Sequence, residues 1–445
     1  MAKKVLTTVI CTLALVLWGS PDYATGQSYR WIPLEGEGTP QARHENALVR
    51  AGDQFILLGG RGMKTMDIYN TGTGEWSHGA QPPFEIHHIQ AVTVDGLVYV
   101  VGALSGGWPH ETPLPNILIY DPVVDRWAIG PEIPQDRRRG ASGTVVYQDK
   151  IYIVCGIIDG HSSGWVNWLD EFDPATNKWT VLPDAPRSRD HLHSAVSGDR
   201  LYVAGGRKSG YQGQGFEATV KETDVYDFTT GEWRELPSPE GDIPTERAGT
   251  AAAVHNGNLL IIGGESGSQQ AAHSEVEMLD TATETWSTLD PLIRGRHGTQ
   301  AISFDNIVVI GAGSGNRGGG PELTSFEILA DNETPELSFE PLTPSRLTVS
   351  SDKIHFSNNG TEELILRSQD GNKATLISYI QLDNSNGYEL NVAVEAPFVL
   401  SPGQQLPIEI SWNGSGETAQ QSEATLLIKE LGGSEPLRVR LSAGD

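Results

Sequence analysis

The stretch Phe55–Trp76, FILLGGRGMKTMDIYNTGTGEW, carries the pattern that decides the fold. An apolar run ends in the doublet Gly59-Gly60, and a second short segment carries Tyr69 seven residues before Trp76. Short apolar runs bounded by turn residues predict buried strands. Aromatic residues on both sides of a tight turn predict a hairpin that places both rings in one core layer. The stretch therefore predicts a buried strand followed by a hairpin.

The same pattern recurs until about residue 330. The apolar runs with their small-residue doublets are Phe55–Gly60, Val98–Ala103, Ile151–Gly156, Leu201–Gly206, Leu259–Gly264 and Ile307–Ala312. The pairs with the seven-residue spacing are Tyr69 and Trp76, Tyr120 and Trp127, Phe172 and Trp179, Tyr226 and Trp233, and Leu279 and Trp286. Self-similarity of this kind is the sequence signature of a repeat architecture, so the repeat decides the fold class.

The repeat resembles the kelch repeat, whose marks are a glycine doublet followed by an aromatic residue and a Trp at this spacing. The resemblance covers about residues 29–332 and implies an all-β fold, a propeller of four-stranded antiparallel blades. The sixth copy, at Thr324–Leu329, has no Trp after it, whereas Trp31 stands unused near the N-terminus. We therefore predict six blades over residues 27–333, with the N-terminal strand completing the last blade and removing exposed sheet edges.

The first residues predict a signal peptide over residues 1–26. Lys3 and Lys4 precede the apolar run Val5–Trp18, and Ala24–Gly26 supplies small residues for cleavage. We therefore expect an exported protein, secreted or periplasmic. Since Cys11 would be removed, only Cys155 would remain, which excludes an intramolecular disulfide.

The segment 334–445 has a different pattern. Short alternating strands replace the doublets, which predicts a small antiparallel β-sandwich. The stretches Phe356–Leu366, Leu400–Trp412 and Leu437–Gly444 resemble the Hydin-type immunoglobulin-like modules of bacterial surface proteins. Such a module would serve as an adhesion or spacer element, or as a plain structural appendage.

The charge of the chain limits its partners. The formal net charge is −26, so the surface should repel nucleic acid and anionic lipid. No apolar run after the leader is long enough for a membrane span. We therefore expect neither a nucleic-acid partner nor a membrane span.

Candidate functional residues stand where each innermost strand begins, because these strands converge on the central channel of a propeller. The aligned segments are Arg43–Leu48, His87–Val92, Arg139–Thr144, Asp190–Ala195, Arg247–Ala252 and Arg296–Ala301. This alignment predicts a ring of arginines beside a ring of histidines at one channel mouth. Loops after the doublets should approach the same face.

Three kinds of chemistry follow from these residue types. Arginine holds carboxylates bidentately, and the predicted ligand-binding residues are Arg43, Arg61, His88, Arg139, His161, Arg207, Arg247, Glu265, Arg296 and Arg317. Histidines at one level could hold a transition metal on the axis, and the predicted ligands are His44, His88, His191, His193 and His297. The predicted acid and base residues are His44, Glu45, Asp190 and His191. Alternatively, the arginines bond neighbouring blades and the histidines merely line a wet channel.

Two families of kelch propellers bear on function. Galactose oxidase is a kelch propeller whose copper-radical chemistry requires a Tyr–Cys crosslink. Cys155 occupies the first position of a doublet, and the inner-strand starts contain no tyrosine, so that mechanism is not supported. The chain is more similar to the six-bladed kelch sialic acid mutarotases in blade count, export and mouth chemistry.

Three functional hypotheses follow. The first is an exported propeller that binds an anionic carbohydrate-type ligand, or another small anion, at an Arg/His-rich mouth. The second is an enzyme on such a sugar, either a mutarotase-like isomerase or a metal-dependent oxidoreductase or lyase. The third is a protein-interaction platform.

Overall fold

The computed structural model describes residues 29–304, 307–331, 335, 337–414, 422–433 and 435–444. Within these ranges the chain is β-structure and loops, apart from the short 3-10 helices Gln135–Arg137 and Tyr211–Gly213. The predicted signal peptide lies outside the described residues, so export stays a prediction. Among the described residues, no helix has the length and apolar character needed to cross a membrane.

Six four-stranded antiparallel sheets occupy the described residues between Tyr29 and Asp331. The strands of the first three sheets, with the N-terminal strand and two short hairpins, are β1 (Tyr29–Pro33), β2 (Asn46–Ala51), β3 (Gln54–Gly59), β4 (Met66–Asn70), β5 (Glu75–Gly79), β6 (Val92–Val94), β7 (Leu97–Val100), β8 (Leu104–Ser105), β9 (Thr112–Pro113), β10 (Asn116–Asp121), β11 (Arg126–Glu132), β12 (Gly143–Tyr147), β13 (Lys150–Val154), β14 (Ile157–Asp159), β15 (Ser163–Trp165), β16 (Leu169–Asp173) and β17 (Lys178–Leu182). Those of the last three are β18 (Ser194–Ser197), β19 (Arg200–Val203), β20 (Asp224–Asp227), β21 (Glu232–Glu235), β22 (Ala251–His255), β23 (Asn258–Ile262), β24 (Val276–Asp280), β25 (Thr285–Thr288), β26 (Ala301–Phe304), β27 (Ile307–Gly311) and β28 (Phe326–Asp331).

The sheets form blades around a common axis. The first strands of the blades are β2, β6, β12, β18, β22 and β26; each contacts the next, and β26 contacts β2. β1 pairs antiparallel with β28, which places Trp31 opposite Leu329. The N-terminal strand is therefore the outermost strand of the last blade. The pairs β8–β9 and β14–β15 are two-stranded hairpins in loops after the second and third doublets.

The aromatic and Trp positions of the repeat meet as predicted. In all five blades the two residues stand directly opposite each other, as Tyr69 does with Trp76. In the four aromatic pairs the ring centroids lie 5.0 to 5.2 Å apart. The indole N–H also reaches the preceding blade, as Trp233 Nε1 does in donating to the Pro183 carbonyl at 2.8 Å. The Trp therefore stabilises its own hairpin and joins neighbouring blades.

The C-terminal segment forms two sheets around one apolar core. The strands are β29 (Arg346–Val349), β30 (Lys353–Phe356), β31 (Gly360–Gln369), β32 (Thr375–Leu382), β33 (Tyr388–Val392), β34 (Phe398–Leu400), β35 (Gln405–Trp412), β36 (Ser422–Glu430) and β37 (Leu437–Ala443). Their orders are β29-β31-β35-β33 and β30-β37-β36-β32-β34. Leu364 and Ile408 of one sheet share a buried core with Leu426 and Val439 of the other. This is a β-sandwich, while its immunoglobulin-like relationship and the domain boundary at 333–334 stay predictions.

The sandwich packs against the propeller away from the predicted mouth. Lys373 Nζ lies 2.6 Å from Asp121 Oδ2, and both side chains are buried. Leu342, in the connecting segment, lines the channel together with Val254 and Ser303 near the ends of their strands. The inner strands begin at the other end of the channel, away from these contacts with the described part of the sandwich.

Candidate functional site

Each innermost strand is preceded by a three-residue segment with a common backbone geometry. The six segments are Arg43–Glu45, Ile86–His88, Arg139–Ala141, Arg189–His191, Arg247–Gly249 and Arg296–Gly298. The third residue is left-handed in all six, with φ of 58°, 54°, 50°, 52°, 61° and 61°. Its N–H donates to the carbonyl of the equivalent residue in the preceding blade at 2.7 to 3.0 Å from blade two to blade six, and Asn46 N closes the ring on Gly298 O at 3.2 Å. The third residues therefore surround the channel at one level.

This geometry corrects the predicted alignment in two blades. The prediction matched His87 and Asp190 with Arg43, whereas the structure matches Ile86 and Arg189 with it. The left-handed residue identifies the register, because it recurs at the same place in every blade. A shift of one residue changes which side chain faces the channel, so His88 and His191 occupy the channel level that Glu45 occupies in the first blade.

The arginines of the first column belong to the scaffold. Arg43, Arg139, Arg247 and Arg296, predicted to bind ligand, are completely buried. Their carboxylate partners within the same blade are Asp67, Asp170, Glu277 and Glu327. Arg247 shows the pattern: Nη1 lies 2.6 Å from Glu277 Oε2, and Nε and Nη2 donate to the Gly263 and Ile261 carbonyls. A buried guanidinium requires such partners, and these leave no face for a ligand.

Three histidines meet at the mouth-side end of the channel. His88 and His191 are third residues of their segments, and His161 lies between β14 and β15. One ring nitrogen from each lies within 4.8 Å of the others. The shortest separation is 3.0 Å, between the Nε2 atoms of His161 and His191. The cluster joins residues from the second, third and fourth blades.

Each histidine of the cluster is held by a polar partner through its other ring nitrogen. His161 Nδ1 lies 3.0 Å from Glu111 Oε1, and Glu111 also accepts from Arg61 at 2.6 Å. His191 Nδ1 contacts Asp190. His88 Nδ1 lies 2.6 Å from His87 Nδ1. The rings are therefore oriented with Nε2 toward one another.

Burial controls protonation in the cluster. Burial, reinforced by neighbouring positive charges, lowers the pKa of His88 and of His191 well below the ordinary value. Although burial disfavours its carboxylate, hydrogen bonds from His161 and Arg61 hold the pKa of Glu111 at about 2. Burial raises the pKa of Asp190 to about 6. At neutral pH, His88 and His191 are uncharged, and a carboxylate stands behind the His161 ring.

A depression of about 430 Å³ opens above the cluster. It is lined by His44, Glu45, Arg61, Trp108, His161, Arg207, Phe216, Glu265, His297, Gly318 and Gly319. Below it the channel narrows to a space of about 20 Å³, bordered by the third residues of all six segments. Beside the histidine cluster, an ion pair joins the fourth blade to the fifth, with Arg207 Nη1 2.6 Å from Glu265 Oε1. The depression therefore combines neutral histidines with ion pairs on its walls.

The other predicted metal ligands lie outside the cluster. His44 lines the depression, with Nδ1 2.8 Å from Glu322 Oε1. His297 directs Nε2 to backbone carbonyls, 2.8 Å from Gly318 O. His193 lies lower in the channel, with Nε2 3.1 Å from Ile89 O. The structure thus brings together His88 and His191 of the predicted metal set and adds His161, which we had predicted to bind ligand.

Sequence reasoning missed Glu111 and Phe216 as site residues, whereas the loop that carries Trp108 was expected to approach this face. No sequence pattern indicates that Glu111 is a site residue, because its contact with His161 forms only when the loop of one blade meets the loop of the next. The third residues of the segments could have been identified from the sequence. Two of the six copies carry glycine there, Gly249 and Gly298, so a larger residue at this position is a departure from the repeat. Non-glycine residues in left-handed backbone are costly and concentrate at functional sites.

Comparison with known proteins places the chain in a family. The Attractin/LZTR1 β-propeller family matches residues 23–272, more than half of the chain. The Kelch-like protein terF of Aspergillus terreus is 30% identical over 334 residues, which span 70% of this chain and 71% of that protein. Kelch-like protein 23 of Homo sapiens is 25% identical over 274 residues, 59% of this chain but only 45% of that protein.

A solved structure agrees with the fold. The structure of YjhT aligns with a TM-score of 0.55 at 17% identity and covers 66% of this chain and 96% of that one. At this identity the likeness supports the architecture alone. With the repeat, the blades and the family match together, the chain belongs to the kelch-type β-propellers of the Attractin/LZTR1 family.

Proposed function

We propose that the protein binds a small, ring-bearing, anionic ligand of carbohydrate type in the mouth depression. The observation that carries this proposal is the aromatic wall. Trp108 is 70% exposed at the lip, and Phe216 forms part of the lining. Flat aromatic surfaces beside a few oriented polar groups are typical of small-molecule sites.

The preference for an anion rests on Arg317. Its guanidinium lies 5.1 Å from the centre of the Phe216 ring, and Nη1 donates to the Gly267 carbonyl. Within the described ranges it forms no ion pair, whereas Arg61 and Arg207 are both paired with carboxylates. A cation without a carboxylate partner beside an aromatic surface is suited to a ligand carboxylate.

The test is binding of acidic and neutral monosaccharides by calorimetry. We expect the acids to bind at least about tenfold more tightly. Trp108→Ala and Arg317→Gln should each weaken binding of the acids about tenfold or more. Arg138→Gln, at an arginine outside the lining of the depression, is the matched control and should bind as the wild type does. Equal binding of neutral and acidic sugars would contradict the proposal.

Catalysis on the same ligand is a second candidate, supported by Glu45. Its Oε2 lies 3.5 Å from His88 Nε2, and the residue lines both the depression and the constriction. A carboxylate and an imidazole at one wall are the groups that opening a sugar ring needs. Anomer exchange followed by NMR tests this: Glu45→Gln should slow it about 100-fold or more, with binding retained. If the wild type exchanges the anomers no faster than buffer does, catalysis is ruled out and ligand binding remains the proposed function.

A protein-interaction role is favoured by the apolar rim of the mouth face. Met63, Phe84, Ile158 and Tyr211 are exposed in loops of this face. Exposed apolar groups rimmed by polar residues are typical of protein contacts. The test is binding of a folded partner protein to the wild type and to the double variant Met63→Ser/Ile158→Ser. Loss of partner binding in the variant, together with no binding of small anions at millimolar concentration, would favour a protein-interaction role over carbohydrate binding.

A further inference from the structure

We propose that His88, His161 and His191 bind one divalent first-row transition-metal ion at the floor of the depression. The side chains behind the rings determine which ring nitrogen carries hydrogen, and therefore which nitrogens can bind an ion.

Carboxylates determine the tautomers of His161 and His191. Glu111 accepts from Arg61, and Asp190 accepts from the backbone N–H and the hydroxyl of Ser209 at 2.9 and 2.5 Å. Both carboxylates are therefore acceptors, and Nδ1 of each histidine must donate to them. Hydrogen on Nδ1 makes Nε2 the ring nitrogen of each histidine that can bind an ion.

The tautomer of His88 follows from its neighbour. His87 Nε2 lies 3.1 Å from the Gly106 carbonyl, which can only accept, so Nε2 of His87 carries the hydrogen. His87 Nδ1 is then an acceptor, and His88 Nδ1 donates to it across 2.6 Å. His88 Nε2 is left with a lone pair, and this buried atom has no hydrogen-bond partner among the described residues.

The three Nε2 atoms thus face one another. Those of His161 and His191 lie 3.0 Å apart, so either a shared hydrogen or a metal ion must lie between them. Metal–nitrogen bonds of about 2.0–2.1 Å in a tetrahedral site separate ligand nitrogens by about 3.3 Å. To reach this geometry, the His161 and His191 nitrogens must move slightly apart, and the His88 nitrogen, which lies within 4.8 Å of the others, must move closer.

The chemistry of the ligands indicates the class of ion. Imidazole suits zinc, iron, copper and nickel, whereas calcium and magnesium require oxygen ligands. Metal-binding histidines commonly donate their other N–H to a carboxylate, as His161 and His191 do here. Three protein ligands leave a coordination position toward the depression, where the Glu45 carboxylate also points. The ion would hold a ligand atom at that position.

The experiment uses the full-length protein, stripped with a chelator and titrated with Co²⁺ or Zn²⁺ alone. We expect one ion per chain, with the visible absorption of nitrogen-bound Co²⁺, and a rise in melting temperature. His161→Ala, His191→Ala and His88→Ala should each abolish stoichiometric binding. Glu111→Gln should weaken it about 10- to 100-fold. The matched controls His193→Ala and His44→Ala should retain full affinity.

Folding and metal loss are separated by circular dichroism on every variant. His161 is partly exposed in a loop, so His161→Ala is the variant expected to keep the native spectrum. Failure of the stripped wild type to bind either ion, or stoichiometric binding that survives in folded His161→Ala, would overturn the proposal. Because the ion is tested without a sugar, failure of carbohydrate binding would leave this result unaffected.

Discussion

The second and fourth blades differ from the fifth and sixth at the channel mouth, although their backbones follow the same path. His88 and His191 occupy the left-handed position in the first pair, and Gly249 and Gly298 occupy it in the second. The histidine side supplies neutral rings. The ion pair of Arg207 with Glu265 joins the fourth blade to the fifth, where the histidines give way to the glycines.

The difference separates scaffold from site. The ring of backbone hydrogen bonds passes through the histidine blades and the glycine blades alike, so it requires no particular side chain at the left-handed position. Glycine meets the left-handed requirement without strain, whereas a larger residue costs of the order of 1–3 kcal/mol. Of the side chains that carry this cost, Glu45 lines the depression, and His88 and His191 border the narrow space below it, where a ligand could use them.

The largest effect should come from the scaffold arginines. Arg247→Met leaves the buried Glu277 carboxylate without its partner and should lower the free energy of unfolding by about 3–5 kcal/mol. Urea denaturation measures the change. Arg200→Met removes an exposed arginine and should cost less than about 0.5 kcal/mol. Similar costs for the two variants would contradict the scaffold assignment.

The ion pair of Arg207 with Glu265 should respond to acid. Although burial disfavours its charge, His297, Arg207 and the Gly318 N–H hold the pKa of Glu265 at about 2, below the value of about 4.3 in an unfolded chain. Its ionised form therefore stabilises the fold above pH 4.3, by about 3 kcal/mol, and this is lost as the pH falls toward 2.

Unfolding of the wild type and of Glu265→Gln, measured from pH 7 downward, tests this. The difference between the two should be largest at pH 7 and should shrink below pH 4.3. Glu240→Gln, at an exposed position, should change stability little at any pH. A difference that grows on acidification would show that the carboxylate is not stabilised by its neighbours.

A smaller effect should follow from adding a side chain on the glycine side. A Cβ on Gly298 would lie 2.9 Å from Glu45 Cδ and 3.1 Å from Glu45 N. Gly298→Ala should therefore lower the free energy of unfolding by about 1–3 kcal/mol. The control Gly257→Ala has a left-handed φ but open space, so it isolates backbone strain. Equal melting-temperature losses would show that crowding contributes nothing.

The smallest change in stability is expected where the left-handed backbone strain can be relieved by removing a single methyl group. Ala141, in the third blade, has a φ of 50°. Ala141→Gly relieves left-handed strain but makes the unfolded chain more flexible, so stability should change by less than about 1 kcal/mol. Calorimetric unfolding would measure it. A larger loss would mean that the Ala141 methyl group packs more tightly than its position suggests.

Much of the fold was predictable from local sequence. The doublets and the seven-residue spacing identified the strands and the hairpins, and the unused Trp31 indicated the pairing of β1 with β28. These features were readable because each depends on residues close together in the chain, or on a repeat that shows itself several times. The change of pattern after residue 333 likewise predicted the sandwich.

The candidate site was only partly predictable. Glu45, Arg61, Arg207 and Glu265 line the depression as the repeat suggested, but the predicted ring of arginines lies inside the blades. Sequence spacing does not show the side-chain direction where a strand begins, and a one-residue misalignment moved His88 and His191 into the wrong column.

The sequence by itself determined a six-copy kelch-type repeat, its blade hairpins and a histidine-rich set of inner-strand starts. Only the tertiary structure decided which histidines meet. His161 reaches His191 from a different blade, and Glu111 reaches His161 from a third loop, over distances in the chain that no local pattern encodes. The physical reason is that strand and hairpin formation depend on neighbouring residues, whereas a site at the axis depends on how separate blades are rotated around it.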